Sequence, residues 1–483
     1  MRARLLLAAA ALAAFGASLV SGFHFDDYAI FDDSLYAPGS GWSAIFAVRQ
    51  TRPLTYLTFW LNRALGGHDA IFYHALNLAL HLAAVLLAYE CLLRLMDRRA
   101  AWLAAALFAV HPLQAEAVDY IWARAIVLAA VFVFASLLEW LDGRPWVSVM
   151  LFALALLAKE ECAAFPLALW LLDARLLARP AGAPRRARRA PLVAMLALSL
   201  AAGLRVVYAA AITPGSQAGA NAGITPWHYV LAEGTVLWRY LRLLAIPYGF
   251  TVDAEIAVPP VWLGVAAWFA IVAGLAALWR WRRDLAIWAT MAALLLLPSS
   301  SIFPAADLAA DRRMYLAMFP LAGAVALALS RLRWRAVLPV AIVALVVVSI
   351  GRTEVWSRDE SLWREAVERA PDKVRPRIQL SRNVGSEEAL AQLAEARRLA
   401  PSDPTVAAET GRVLLTAGRP ALAIAEFGRA LALDPRDANN YNNRGVALQA
   451  LGQTEAARAD FGRAIALDPG LAAARENLRK LAR

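Results

Sequence analysis

Two adjacent carboxylates stand in Phe25-Asp26-Asp27-Tyr28, directly beyond the first apolar segment, residues 5–22. A carboxylate in that position is suited to taking a proton from a reacting hydroxyl, because general-base assistance needs an oxygen lone pair within hydrogen-bond reach. Other chemistry-bearing side chains follow at the ends of later apolar stretches. They are His74, Asn77 and His81 at i, i+3, i+7 spacing, then His111 with Glu116, Arg124, Lys159 with Glu160, Glu233, Arg239, Arg242, Asp311 and Arg312. Each has a plain structural use beside the chemical one. The acids fit a helix cap, the histidines an interhelical hydrogen bond, and Lys159-Glu160 an ion pair worth little if exposed. Their coincidence on one side of a membrane marks a site, since ionisable groups near the bilayer are expensive to keep.

The elements that must position them are mostly membrane helices. Of 483 residues, 60% are hydrophobic and 17 are Trp, and several apolar stretches reach the ~20 residues that span a bilayer. Eleven apolar segments are expected, at about 5–22, 71–94, 100–118, 121–141, 146–160, 162–178, 192–212, 261–279, 285–303, 314–330 and 336–351. Arginines cluster in the short loops at 98–99, 144, 175–189, 280–283 and 331–335, so the +11 net charge reads as an orientation signal and not as nucleic-acid binding. The stretch 227–247 carries Glu233, Arg239 and Arg242 and is expected to lie in the interface as an amphipathic helix. With the N-terminus cytoplasmic, everything after residue 352 then lies outside. Residues 1–22 also have the layout of a cleavable signal peptide, which leaves the later loops where they are. Lysine is confined to Lys159, Lys373 and Lys480, a bias that points to a bacterial source and an inner-membrane setting with the repeats periplasmic. Cys91 and Cys162 fall in different spans, so no disulfide and no metal site are expected.

The C-terminal part changes character. Pro401, Pro435 and Pro469 recur every 34 residues, the tetratricopeptide period. In phase with them stand Gly411 and Gly445, Ala423 and Ala457, Phe427 and Phe461, Ala430 and Ala464. Small residues let paired helices touch, and the aromatic fills the space between them. Clear repeats are expected at 404–437 and 438–471, a degenerate one at 370–403 with Arg377 at a small-residue position, and a capping helix at 471–482. Such an array serves as a spacer or binds peptide. Asn439, Asn440 and Asn443 favour peptide, since an amide on the concave face can pair with an extended backbone.

Taken in order, Phe25-Asp26-Asp27-Tyr28, Arg52-Pro53-Leu54, His74 to His81, His111-Pro112 to Val118, Arg124, Lys159-Glu160, Tyr240 to Pro247, Pro298 to Pro304 and Arg312 to Leu316 resemble one family. It is the transmembrane and tetratricopeptide-repeat O-mannosyltransferases with their bacterial relatives, of the GT-C glycosyltransferase type. The resemblance implies an all-α fold: a polytopic GT-C-type bundle of about eleven transmembrane helices over residues 1–352, then a tetratricopeptide α-solenoid over 353–483. It implies inverting transfer of a sugar, mannose or a similar hexose, from a polyprenyl-phosphate carrier to a hydroxyl, without cofactor or metal. By the same resemblance Asp27 is the expected base and Asp26 its support, or the reverse. Arg312, Arg242 and Arg124 are expected at the donor phosphate, and His74, His111, Glu116, Lys159 and Glu160 around the pocket. The acceptor, Ser or Thr of a protein, is expected on the repeats. The chain departs from the family pattern at Gln114, Ala123 and Asp311, positions that bear on sugar and acceptor identity. Two other readings stay open: a non-enzymatic membrane-anchored repeat scaffold, and a GT-C transferase acting on lipid or polysaccharide intermediates. A transporter is weaker, as no duplication of the spans is visible.

Overall fold

The computed structural model describes residues 1–37, 39, 41–47, 50–175, 186–213, 219, 223–300, 303–305, 307–330 and 337–481. The basic loop at 331–335, much of the one at 175–189, and Ser301 and Ile302 of the Pro298–Pro304 motif lie outside the described residues. The chain divides into two compact units, Met1–Arg358 and Asp359–Arg483. The division follows Arg358 because the last apolar helix runs on to Val355.

Eleven apolar helices correspond to the eleven expected segments. They are α1 (Arg2–Phe15), α3 (Ala70–Leu95), α4 (Arg98–Val110), α5 (Arg124–Leu141), α6 (Pro145–Ala158), α7 (Phe165–Arg175), α8 (Arg186–Ile212), α10 (Val261–Trp281), α11 (Arg283–Leu296), α12 (Met314–Ser330) and α13 (Val337–Val355). Between them lie two helices of mixed character, α2 (Pro53–Gly66) and α9 (Pro226–Ala245). Among the described residues seven helices are long and apolar enough to cross a membrane, or eight if α4 and residues Pro112–Asp119, bent by 50°, count as one. That is fewer than the expected eleven, because α6, α7 and α11 are short. A 14-residue helix rises only about 21 Å, against a hydrocarbon core of ~30 Å.

Local sequence sets many of the ends. Proline at the first helical turn starts α2, α6 and α9, where its missing N–H costs nothing. Asp69 caps α3 and Asp97 caps α4, each accepting backbone N–H bonds of the first turn. Pro112 ends α4, and the chain turns at His111 into the site. Val265, Phe269 and Val272 of α10 stay exposed, as suits a helix facing lipid.

The α9 helix lies crosswise. Trp268 Nε1 donates to Val230 O at 2.7 Å, and Trp238 Nε1 donates to Ala267 O at 3.1 Å. Residues well apart on α9 thus meet neighbours on α10, so the two helices cross. The first turn of α9 reaches Ser299 through Tyr229, and its last reaches Ala310 through Tyr240, both in the segment between α11 and α12. The charges that argued against inserting it, Glu233 and Arg239, are neutralised inside the protein by Arg313 and Asp311.

The second unit is a run of antiparallel helix pairs: α14 (Asp359–Arg369), α15 (Val374–Ser381), α16 (Ser386–Leu399), α17 (Pro404–Thr416), α18 (Pro420–Leu433), α19 (Ala438–Ala450), α20 (Thr454–Leu467) and α21 (Ala472–Leu481). Its packing follows the periodic residues. A Cβ at Gly411 would lie 2.8 Å from Phe427, and one at Gly445 would lie 2.6 Å from Phe461. Glycine is therefore what lets the two helices of each pair close on the aromatic ring.

Candidate active site

The acids sit in one tight turn, Phe25–Tyr28, entered from an extended His24. Phe25 has φ +23°, outside the usual regions for a residue with a side chain. Asp27 is 0% exposed. Its Oδ1 accepts from Trp122 N–H at 2.8 Å and its Oδ2 from His24 N–H at 3.0 Å. Burial pushes this carboxyl up to about 7, against the pull of His24 and the two N–H donors and with a further push from Asp26. Asp26 is exposed instead, and its Oδ2 accepts the Tyr120 hydroxyl at 2.9 Å. The two adjacent acids thus have different environments: one is a buried clamp, the other a carboxylate open to a ligand.

The turn is tied to the far end of the unit. His24 Nε2–H donates to Trp356 O at 2.6 Å, just past α13. Tyr120 stacks on the Trp356 ring at 5.7 Å and 24°, with Phe25 at 4.7 Å on its other contact.

Three consecutive charges at the head of α12 form a second group. Arg312 pairs with Glu116, and its backbone N–H donates to the other Glu116 oxygen at 3.0 Å. Asp307 lies 3.7 Å from the same guanidinium. Asp311 turns inward to Arg239 at 2.5 Å, and Arg313 turns inward to Glu233 at 3.1 Å, to Tyr229 and to the carbonyls of Asp307 and Leu308. Among the three, Arg312 keeps 27% of its side chain exposed while Asp311 and Arg313 keep under a tenth. Glu116, its partner, lies four residues before Tyr120, which holds Asp26, on one short helical segment. The open carboxylate and the partly open guanidinium are therefore tied to the same segment, at one corner. An apolar cavity of about 470 Å³, lined by Leu237, Trp238, Tyr240, Trp268 and Met314, lies beside the same segment. Tyr240 links them, donating its hydroxyl to Ala310 O at 2.8 Å.

Several expected residues do other work. Arg124 is 0% exposed and spends its guanidinium on Asn77 at 2.7 Å, Asn62 at 2.6 Å, Thr58 at 3.2 Å and Tyr73 O at 3.0 Å, over the Phe59 ring. No face remains for a phosphate, so its expected role gives way to holding α2, α3 and α5 together. Arg242 is exposed and donates to Tyr248 O at 3.0 Å, in the loop that follows α9. His74 is buried with Nε2 on Gly22 O at 3.1 Å, which steadies the strand into the acid turn. His111 donates from Nε2 to Leu244 O at 3.1 Å and accepts Leu113 N–H at Nδ1, fixing α9 against the turn after α4. His81 accepts the Tyr315 hydroxyl at 2.7 Å, deep in the bundle.

Lys159 and Glu160, expected around the pocket, take separate partners. Lys159 meets Glu161 at 3.0 Å, and Glu160 takes two bonds from Arg52, at 3.0 and 2.6 Å. Burial would raise the Glu160 carboxyl, but Arg52 outweighs it and holds the group at about 2. Among the described residues no three His, Cys, Asp or Glu side chains converge as a metal would need.

Tyr120, His24 and Trp356 were missed by sequence reasoning. Tyr120 lies between Glu116 and Arg124, two residues that were singled out, so position in the same short loop was the available signal. Nothing local to Trp356 announces it.

In the second unit, a concave cavity of about 340 Å³ is lined by Arg382, Glu409, Arg412, Asp437, Asn439 and Asn443 among others. Asn439 is exposed there. Asn440 is buried and donates to Asp437 at 2.8 Å, so its amide serves the helix start. Asn443 accepts from Asn442 at 3.3 Å.

Comparison with known proteins bears on both units. A tetratricopeptide repeat family model matches residues 426–459. Protein O-mannosyl-transferase TMTC3 of Mus musculus is 32% identical over 180 residues, which are 32% of this chain and 20% of that protein. Protein O-mannosyl-transferase TMTC1 of Homo sapiens is 35% identical over 152 residues, 28% of this chain and 17% of that protein. This chain thus spans about a fifth of the length of these relatives. Among solved structures, the first tetratricopeptide domain of Spaghetti (RPAP3) bound to an HSP90 peptide is 26% identical, covering 20% of this chain and 79% of its own, with a TM-score of 0.20. The chain is a multi-pass membrane protein with tetratricopeptide-like repeats and partial similarity to protein O-mannosyltransferases.

Proposed function

We propose that this chain transfers a sugar from a polyprenyl-phosphate carrier to a hydroxyl acceptor, with Asp26 as the general base. The observation that carries the reading is the shared corner: an exposed carboxylate and a partly exposed arginine, held by separate networks. The acceptor oxygen attacks the sugar C1 from the face opposite the phosphate, and its proton passes to Asp26. The C1–O bond to phosphate breaks with inversion, and Arg312 holds the departing polyprenyl phosphate anion. The acids are ordered here against the sequence expectation, because both Asp27 oxygens are already committed to backbone N–H groups. The apolar cavity beside Tyr240 suits the carrier chain.

The names of the similar proteins point to mannose as the sugar and to protein hydroxyls, Ser or Thr, as acceptors. The site gathers where α1, α4 and α13 end and where α5 and α12 begin, so the chain leaves α13 on the site's side. By arginine bias that side is the outer one, in a bacterial inner membrane the periplasm, and the repeats follow it there. Asn439 and Asn443 then offer amides to an extended acceptor segment.

The test is transfer from a synthetic polyprenyl-phosphate mannose to a threonine-containing peptide by the purified chain. Asp26→Asn should lower turnover by ~10²–10⁴-fold, the range of general-base assistance. Wild-type turnover in that variant would remove Asp26 as the base, and absence of transfer by the unaltered chain would leave it a scaffold.

A further inference from the structure

We propose that Tyr120 is the positioning residue of the Asp26 carboxylate, holding one oxygen so that the other is presented to the reacting hydroxyl. The inference rests on Asp26 being the base. Asp26 is exposed on a four-residue turn, so burial does not set its orientation. The Tyr120 hydroxyl supplies the restraint by donating to Oδ2 at 2.9 Å. That hydroxyl is itself fixed, because Tyr120 is 2% exposed and its ring lies against both Trp356 and Phe25.

The backbone around Tyr120 is pinned on every side. Asn77 Nδ2 donates to Tyr120 O at 3.2 Å and to Val118 O at 3.3 Å. Thr353 of α13 donates to the neighbouring Asp119 at 2.9 Å, and Trp122 N–H is bound to Asp27. The same short segment therefore clamps one acid by its backbone and orients the other by a side chain. A general base works when its lone pair already points at the proton it takes, so a pre-set carboxylate lowers the barrier without any change in binding.

The other charges near this corner are Asp27 and His24 from the same turn and Arg312 from the head of α12 with its partner Glu116. Tyr120→Phe leaves all of them in place and keeps both ring contacts.

Steady-state transfer by the full chain is measured with polyprenyl-phosphate mannose and a threonine peptide for Tyr120→Phe, Asp26→Asn and Trp356→Phe, with thermal unfolding of each. Tyr120→Phe should lose about ten-fold in kcat, as for one hydrogen bond to a charged group. Its KM for the donor should be unchanged. Trp356→Phe keeps the hydroxyl bond and most of the ring contact, so it should retain most of kcat; an equal loss there would reduce Tyr120 to packing and overturn the inference. Unchanged kcat in Tyr120→Phe, with Asp26→Asn inactive and folded, overturns it while the proposed function stands. An active Asp26→Asn removes the base and the inference with it.

Discussion

Arginine meets carboxylate at both ends of the membrane unit, in two very different settings. Where α1 begins, Arg4 pairs with Glu90 at 2.7 Å and Arg94 with Asp142 at 2.6 Å, and the arginines are 52% and 36% exposed. At the site end, Arg313 and Glu233 pair at 3.1 Å with 7% and 0% exposure, and Arg239 and Asp311 at 2.5 Å with 12% and 6%. The distances are alike and the surroundings are not. A solvated pair is screened and contributes little. A buried pair contributes modestly as a whole but is costly to break, because the remaining charge is stranded. The site end uses buried pairs as fixed pins through the segment 307–313, and Arg312 between them is the one left facing out.

The sharpest way to break this contrast is Arg313→Ala, which leaves Glu233 buried without its partner. A destabilisation of ~3–5 kcal/mol is expected, read as a large fall in the unfolding temperature of the detergent-solubilised chain. Asp27 gives the next effect, through pH. Its folded-state carboxyl is raised to about 7 from the ordinary 3.8, so between those values the folded chain binds more protons than the unfolded one. Stability should therefore be highest at the acidic end of that window and decline as pH rises toward 7. Asp27→Asn should flatten that slope, and an unaltered slope in melting curves from pH 4.5 to 7.5 would show another group at work. Arg94→Ala at the opposite end should be the smallest change, within ~0.5 kcal/mol. A melting shift as large as that of Arg313→Ala would erase the distinction between the two ends.

Much of the scaffold was legible in the sequence, for identifiable reasons. Apolar stretches and periodic small residues are local signals, and they gave eleven helices and the paired helices of the second unit. Arg124 was legible as a special residue but misread, since an arginine at a span end is equally fit for phosphate or for asparagine, and only neighbours decide. The 227–247 stretch was expected in the interface partly because of its charges, and the fold removes that reason: Glu233 and Arg239 meet Arg313 and Asp311 inside the protein.

The amino-acid sequence alone determined that this is a membrane chain ending in repeats, because hydrophobicity and period need no partner to be read. It also singled out a pair of adjacent acids, Asp26 and Asp27, as candidates for the chemistry. Which of the two is open was decided by tertiary structure. Neighbours in sequence point in different directions from a tight turn, and the groups that occupy Asp27 and restrain Asp26, Trp122 and Tyr120, come from a loop almost a hundred residues away. Trp356, farther still, packs its ring on Tyr120 of that loop and accepts the His24 ring N–H of the acid turn at its carbonyl. Such long-range contacts depend on how the helices pack, and no local pattern of residue types encodes them.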